Sequence, residues 1–174
     1  MGSYRSIFNY VGTQAGWFAC ALGASRGFPW VGVLFAALYL PIHLWGAAQP
    51  KHEVRYLIVA GLVGAGADSL LKMTGVVTYA SDNSTTWLAP LWIIALWLIF
   101  ATTLTASLSW LQGRYLLAAA LGAIAGPLAY IAGERFQALF LHENWLTAVI
   151  TLAVIWAVVL PLLAWLAKQL VPEA

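Results

Sequence analysis

The stretch WLTAVITLAVIWAVVLPLLAWLAKQL, Trp145–Leu170, contains a single charged side chain, Lys168. A helix needs about 20 predominantly apolar residues to cross the hydrocarbon core of a bilayer. In lipid, only a helix or a closed barrel satisfies its own backbone. The stretch therefore reads as a membrane-spanning helix, and the rest of the chain repeats its signal. The 174 residues are 63% hydrophobic and 8% charged, with a mean hydropathy of +0.85. Soluble domains are nearer 45–50% apolar and about 25% charged. A chain this short has no core large enough to hide the excess. The expectation is an all-α membrane protein, a single domain over residues 1–174 built as a bundle of six transmembrane helices. No residues remain for a soluble catalytic domain.

Working back from that last segment, five more apolar runs appear: Tyr115–Phe136, Trp87–Leu111, Val54–Thr74, Val31–Ala48 and Ile7–Ser25. Each is read as long enough to cross as a helix. The breaks between them are polar or turn-forming. They are Leu141-His142-Glu143-Asn144, Gln112-Gly113-Arg114, the polar run Ala80–Thr86, Gln49-Pro50-Lys51-His52-Glu53 and Gly27-Phe28-Pro29-Trp30. In the last of these, proline opens the second helix. The first run has one Arg before it and many apolar runs after it, so it reads as a retained span rather than a cleaved signal. Comparing the two halves of three spans yields no convincing repeat.

The segments alternate direction, which sorts the charges into two groups. Arg5, Lys51, Arg55, Arg114 and Lys168 fall on one side; Arg26, Lys72 and Arg135 fall on the other, with Asp68, Asp82, Glu134 and Glu143. Lys and Arg collect on the cytoplasmic side, so both termini are expected in the cytoplasm of a bacterial inner membrane. Tryptophans mark the span ends, Trp30, Trp87 and Trp145 outside and Trp45, Trp110 and Trp165 inside, as indoles prefer the headgroup level. A net charge of +2 spread over so few charged residues forms no basic stripe, which excludes nucleic-acid binding. The single cysteine, Cys20, excludes an intramolecular disulfide and paired-thiol chemistry.

Ionisable groups inside spans are expensive, about 2.5–3.5 kcal/mol or more at mid-depth, so they carry most of the functional information. Asp68 lies on the third segment, with Lys72 one turn beyond it at pairing distance. Gly61, Gly64 and Gly66 thin that helix and let a neighbour or a ligand approach. With Tyr79, Tyr130 and Glu134, this pair is expected to form an outer polar cluster, with Arg135 beside it solvated at the interface. It is either a ligand or proton site or an Asp–Lys pair reaching for the surface. A second, inner cluster gathers Asn9, Thr13 and Gln14, then His43, then Thr102, Thr105 and Ser109 along one face of the fourth segment. Its plain reading is interhelical hydrogen bonding, with His43 meeting a carbonyl freed by Pro41. Trp17, Trp92, Trp97 and Trp156 sit inside spans, where indoles either fill the bundle or line an apolar pocket.

The segments Gln14-Ala-Gly-Trp-Phe-Ala-Cys20, Ala89-Pro-Leu-Trp-Ile-Ile-Ala-Leu-Trp97, Phe100-Ala-Thr-Thr-Leu104 and Gly126-Pro-Leu-Ala-Tyr-Ile-Ala-Gly133 resemble a bacterial family of small inner-membrane proteins known only as a domain of unknown function. The resemblance runs from Asn9 to Pro161. Relatives often read Asn-His-Ser after the Thr-Thr-Leu; here those places hold Thr105, Ala106 and Ser107. The resemblance implies a multi-span fold and no particular activity.

No metal or cofactor is expected. His43, His52 and His142 lack helical pairing, and no nucleophile elbow, phosphate loop or dinucleotide fingerprint occurs. Small residues recur every four positions at Ala15, Ala19 and Gly23 and at Ala118, Gly122 and Gly126. Such rows bring backbones together, either within the bundle or against a partner membrane protein. The reading of function is a polytopic protein that binds, and in one version transports, a small amphipathic or lipid-like molecule. The candidate binding residues are Asp68, Lys72, Tyr79, Tyr130, Glu134, His43, Trp92 and Trp97. The alternatives are a membrane-embedded lipid-modifying enzyme using Asp68 or Glu134, and a non-catalytic assembly subunit.

Overall fold

The computed structural model describes residues 2–82 and 86–171. Asn83, Ser84 and Thr85, part of the polar run between the third and fourth segments, lie outside them. Six α-helices follow the six apolar runs: α1 Gly2–Ser25, α2 Trp30–Trp45, α3 Pro50–Met73, α4 Leu91–Ala101, α5 Tyr115–Arg135 and α6 Trp145–Leu170. Three of them, α3, α5 and α6, are long and apolar enough to cross a membrane, and the chain is a membrane protein. Leu34, Leu38, Leu62, Leu116, Val154 and Val158 are exposed, as lipid-facing side chains must be. The six end-marking tryptophans are exposed as well.

Two of the runs are shorter as helices than their hydropathy suggests. The 16 residues of α2 rise about 24 Å and the 11 of α4 about 16 Å, against a hydrocarbon core of about 30 Å. The fourth run stops being α-helical at Thr102. Thr102 Oγ1 donates to the carbonyl of Ile99 at 2.6 Å, Thr103 to Phe100 at 2.7 Å and Thr105 to Thr102 at 3.1 Å. Each bond reaches back three residues and favours the tighter 3₁₀ turn. Thr102–Thr105 is 3₁₀, Ala106 breaks the chain with ψ near −97°, and Ser109–Leu111 resumes as a second 3₁₀ turn. The third run starts earlier than expected. Pro50 takes the first helical position, so Lys51, His52 and Glu53 belong to α3 and not to a connecting loop.

Two short strands were not anticipated. β1, Val77–Tyr79, follows α3, and β2, Leu139–Leu141, follows α5. They pair antiparallel with Val77 opposite Leu141, Thr78 opposite Phe140 and Tyr79 opposite Leu139. Both are introduced by the same helix ending. After α3, Gly75 sits at φ 70° and Val76 N–H returns to the Leu71 carbonyl at 3.0 Å. After α5, Gln137 sits at φ 60° and Ala138 N–H returns to Gly133 at 2.9 Å. A left-handed residue there closes off the last carbonyls of a helix.

The chain is thus three helical hairpins, and the last two are alike. One shift along the sequence carries Gly64 onto Gly126, Asp68 onto Tyr130, Gly75 onto Gln137 and Val77 onto Leu139. A local two-fold passes between Thr78 and Phe140. Within each hairpin the glycine receives an indole of the following helix, Trp97 on Gly64 and Trp156 on Gly126. These two indoles stack on each other, centroids 4.9 Å apart. The symmetry is incomplete in one place. α3 packs along α6, but α4 and α5 hardly touch, and α1 lies on α4 and α2 instead.

Candidate functional site

Asp68 is buried, with 1% of its surface exposed. Tyr79 and Tyr130 both donate to its Oδ1, and Trp97 Nε1 donates to Oδ2. The three donors arrive from β1, α5 and α4. The short strand exists in a place that lays Tyr79 over the end of α3. Burial, and then the neighbouring Asp68, push the Tyr79 phenol well above its ordinary range, so it stays a donor. Trp92 stands edge-on to Tyr79, centroids 5.9 Å apart.

Two residues expected in this cluster are elsewhere. Lys72 does not form the expected pair with Asp68. Its Nζ meets Asp82 Oδ2 at 2.5 Å and donates to the Leu88 carbonyl at 3.0 Å. The cause is position: Lys72 is only half-buried at the last turn of α3, within reach of the polar loop, whereas Asp68 faces the bundle interior. Glu134 accepts from the Leu141 amide at 2.9 Å and so anchors β2 rather than joining Asp68.

The other end of α3 carries a second buried acid, Glu53, also 1% exposed. Arg5 Nη2 donates to both of its oxygens, at 2.9 and 3.1 Å. His43 Nε2 lies 2.7 Å from Oε1, and Thr105 donates to the same oxygen. His43 therefore meets a carboxylate, not a carbonyl freed by Pro41. Beside this group, Asn9 Nδ2 donates to Tyr39 at 2.9 Å and to Thr102 at 2.8 Å, and its Oδ1 accepts from Ser107 at 2.6 Å. The unwound part of the fourth segment is where these groups converge. Irregular backbone at membrane depth survives only where protein or a cavity satisfies it. Ser109, expected in this cluster, is exposed.

Between the two acid clusters runs a cleft of about 650 Å³. α1 contributes Thr13, Gln14 and Trp17; α4 contributes Trp92, Trp97 and Phe100; α5 contributes the wall from Leu121 to Gly133, with Ala129 and Tyr130 facing in. It occupies the place where α4 and α5 fail to repeat the α3–α6 contact. Asp68 and Leu139 lie at one end, Thr103 and Ser107 at the other. Tyr10, Phe18 and Leu128 on its rim are exposed, so it opens sideways between α1 and α5. Phe136 closes the strand end of that opening against Trp17 and Phe18. Two buried polar atoms on its lining, Thr13 Oγ1 and Trp92 Nε1, have no hydrogen-bond partner among the described residues. Trp92 also walls a smaller cavity of about 360 Å³ at the strand end, with Trp30, Ser81 and Asp82.

The small-residue rows resolve differently. Gly122 and Gly126 lie against Trp156 of α6 inside the chain. On α1, Ala15 is exposed and Ala19 half-buried, while Gly23 abuts the Phe28 carbonyl. The tight contacts of that helix also run through Gly12 on Tyr39, Gly16 on Phe35 and Ile99, and Cys20 on Gly32.

Sequence reasoning missed Glu53, Arg5 and Tyr39, and it gave Trp97 a lining role only. The signal for Glu53 was present. It shares a helical stripe with Tyr56, Ala60, Gly64 and Asp68, all buried.

An apolar outer surface, buried acids held at the two ends of one helix, and a side-opening cleft define a small membrane protein with a largely apolar internal cavity. The chain belongs to the family described as proteins of unknown function, DUF2878, whose model covers residues 6–162. No curated protein and no solved structure matches it.

Proposed function

We propose that this protein spans a bacterial inner membrane six times, with both termini cytoplasmic, and binds an elongated amphipathic or lipid-like molecule in the cleft among α1, α4 and α5. The observation that carries the reading is the cleft itself: largely apolar, aromatic-walled, polar at its ends and open toward the bilayer. Its volume falls in the range of about 300–1,000 Å³ typical of small-molecule sites. The broken α4–α5 contact supports an occupant, because the equivalent α3–α6 contact is packed. The oxygens of Asp68 already accept three hydrogen bonds, which favours an anchoring role over acid–base chemistry. The six-span topology is supported by the two tryptophan belts and the division of Lys and Arg.

Mass spectrometry of the protein purified in mild detergent tests the reading. An amphipathic molecule is expected to copurify with the parent and to be lost from Ala129→Trp, which projects an indole into the cleft. Equal amounts on both, or none on the parent, would overturn it.

A further inference from the structure

The two buried acids of α3 are neutralised differently. Glu53 has cations from the chain itself: Arg5 on both oxygens, and His43 when protonated. Asp68 is as deeply buried, yet no basic side chain among the described residues pairs with it. Its three donors, two phenols and an indole, would disperse the charge of a carboxylate without cancelling it. A carboxylate offers about four acceptor positions, and on Oδ2 only Trp97 is in place. An isolated charge in a low-dielectric interior is costly unless paired. Asp68 also lines the cleft, and the cleft lining contains no Lys, Arg or His. The cleft is walled by Trp92, Trp97, Tyr130, Phe100, Trp156 and Trp17, π-faces that attract cations, and Trp97 and Tyr130 of these touch Asp68 itself. The unpartnered Thr13 hydroxyl, on the α1 side of the cleft, offers a further acceptor.

We infer that the cleft takes a lipophilic organic ammonium, its charged nitrogen at Asp68 among the aromatic rings and its apolar body lying toward Thr103 and Ser107. This rests on the binding reading above and names the ligand class for the same cleft. An anionic amphiphile would meet Asp68 with no cation to receive it. A neutral one would bring Asp68 no counter-charge. An ammonium entering sideways between α1 and α5 supplies what the chain provides to Glu53 and withholds from Asp68.

Three probes with one chain length separate the charge from the cleft: dodecyltrimethylammonium, dodecanol and dodecanoate. Saturable binding of each, radiolabelled, is measured on the purified full-length protein, on Asp68→Asn and on Ala129→Trp. In the parent the ammonium is expected to bind roughly tenfold or more tightly than dodecanol, and dodecanoate least. Asp68→Asn is expected to bring the ammonium down to dodecanol while leaving dodecanol unchanged. Ala129→Trp is expected to remove both. The selectivity of the parent tests the inference even where Asp68→Asn does not fold. Ammonium and dodecanol binding equally to the parent, with Ala129→Trp abolishing both, would overturn the ammonium and leave the cleft reading standing. No saturable binding of any probe to the parent would overturn both.

Discussion

Glu53 and Asp68 stand about four turns apart on one face of α3, and each draws its partners from distant parts of the chain. Arg5, His43 and Thr105 come to Glu53 from α1, α2 and the unwound turn after α4. Removing one member of a buried charged group leaves the others desolvated and unpaired, at a cost of about 3 kcal/mol or more. Glu53→Ala is therefore expected to lower stability in detergent by about 3 kcal/mol. Thr105→Val, which removes one hydrogen bond to that charge, is expected to lower it by about 1.5 kcal/mol. Thermal unfolding of the two variants beside the parent checks the order, and a Glu53→Ala protein as stable as the parent refutes it. Asp68 was legible in the sequence because it interrupts a glycine-rich apolar run. Glu53 was not, because it follows Gln49-Pro50-Lys51-His52 and reads as part of a polar connection. Only its spacing from Tyr56, Ala60, Gly64 and Asp68 reveals that it faces inward. The partners of Asp68 were half legible. Tyr79 and Tyr130 were expected near it, but Lys72 was assigned by helical spacing alone, and the pull of Asp82 from the next loop is a tertiary fact.

Among the helices, α3 carries the contact that sets the position of Trp97. A Cβ on Gly64 would overlap the Trp97 indole, whose ring is held by Asp68 on one side and stacked on Trp156 on the other. A Cβ on Gly66, two residues further, meets nothing within 4 Å. The same substitution is thus expected to act in opposite directions. Gly64→Ala overpacks a fixed ring and is expected to destabilise by about 2 kcal/mol. Gly66→Ala is expected to stabilise by up to about 1 kcal/mol, since alanine is the better helix former at an open position. Detergent melting curves with matching signs for the two variants would contradict this. Hydropathy located all six helices, and the Pro and Gly breaks located most of their ends. It did not reveal that the fourth run unwinds at Thr102, because threonines bonded back to their own helix are tolerated within spans, and here those hydroxyl-to-carbonyl bonds accompany a 3₁₀ turn. The strands escaped notice at three residues each. The repeat of the two later hairpins escaped because few of its matching positions keep their residue: Gly64 and Gly126 do, while Asp68 gives way to Tyr130 and Gly75 to Gln137.

The distribution of charge over the bundle decides which of its ends is expected to face the cytoplasm. Arg5 pairs with Glu53 near the start of α3, and Thr105 after α4 reaches the same group, so these segments meet at one end. The two-stranded ribbon and the Asp68 cluster occupy the other. Five Lys and Arg residues belong to the Arg5 end and three to the ribbon end. Basic residues near span ends are retained on the cytoplasmic side, so the Arg5 end is expected inside and the ribbon outside. The chain is well suited to a direct test, since Cys20 is its single cysteine and is buried. In a Cys20→Ala background, Glu143→Cys at the ribbon end and Lys51→Cys at the Arg5 end place one exposed thiol at each face, both native side chains being exposed. A membrane-impermeant thiol reagent applied to spheroplasts is expected to label Glu143→Cys at once and Lys51→Cys only after the membrane is permeabilised. The reverse pattern would turn the molecule over and put Arg5, Glu53 and His43 outside. Labelling of both thiols in sealed spheroplasts would mean that an even number of spans separates them, where six spans require the three of α3, α4 and α5, and the six-span topology would fall. The expected pattern would place the Asp68 end of the cleft in the outer half of the bilayer.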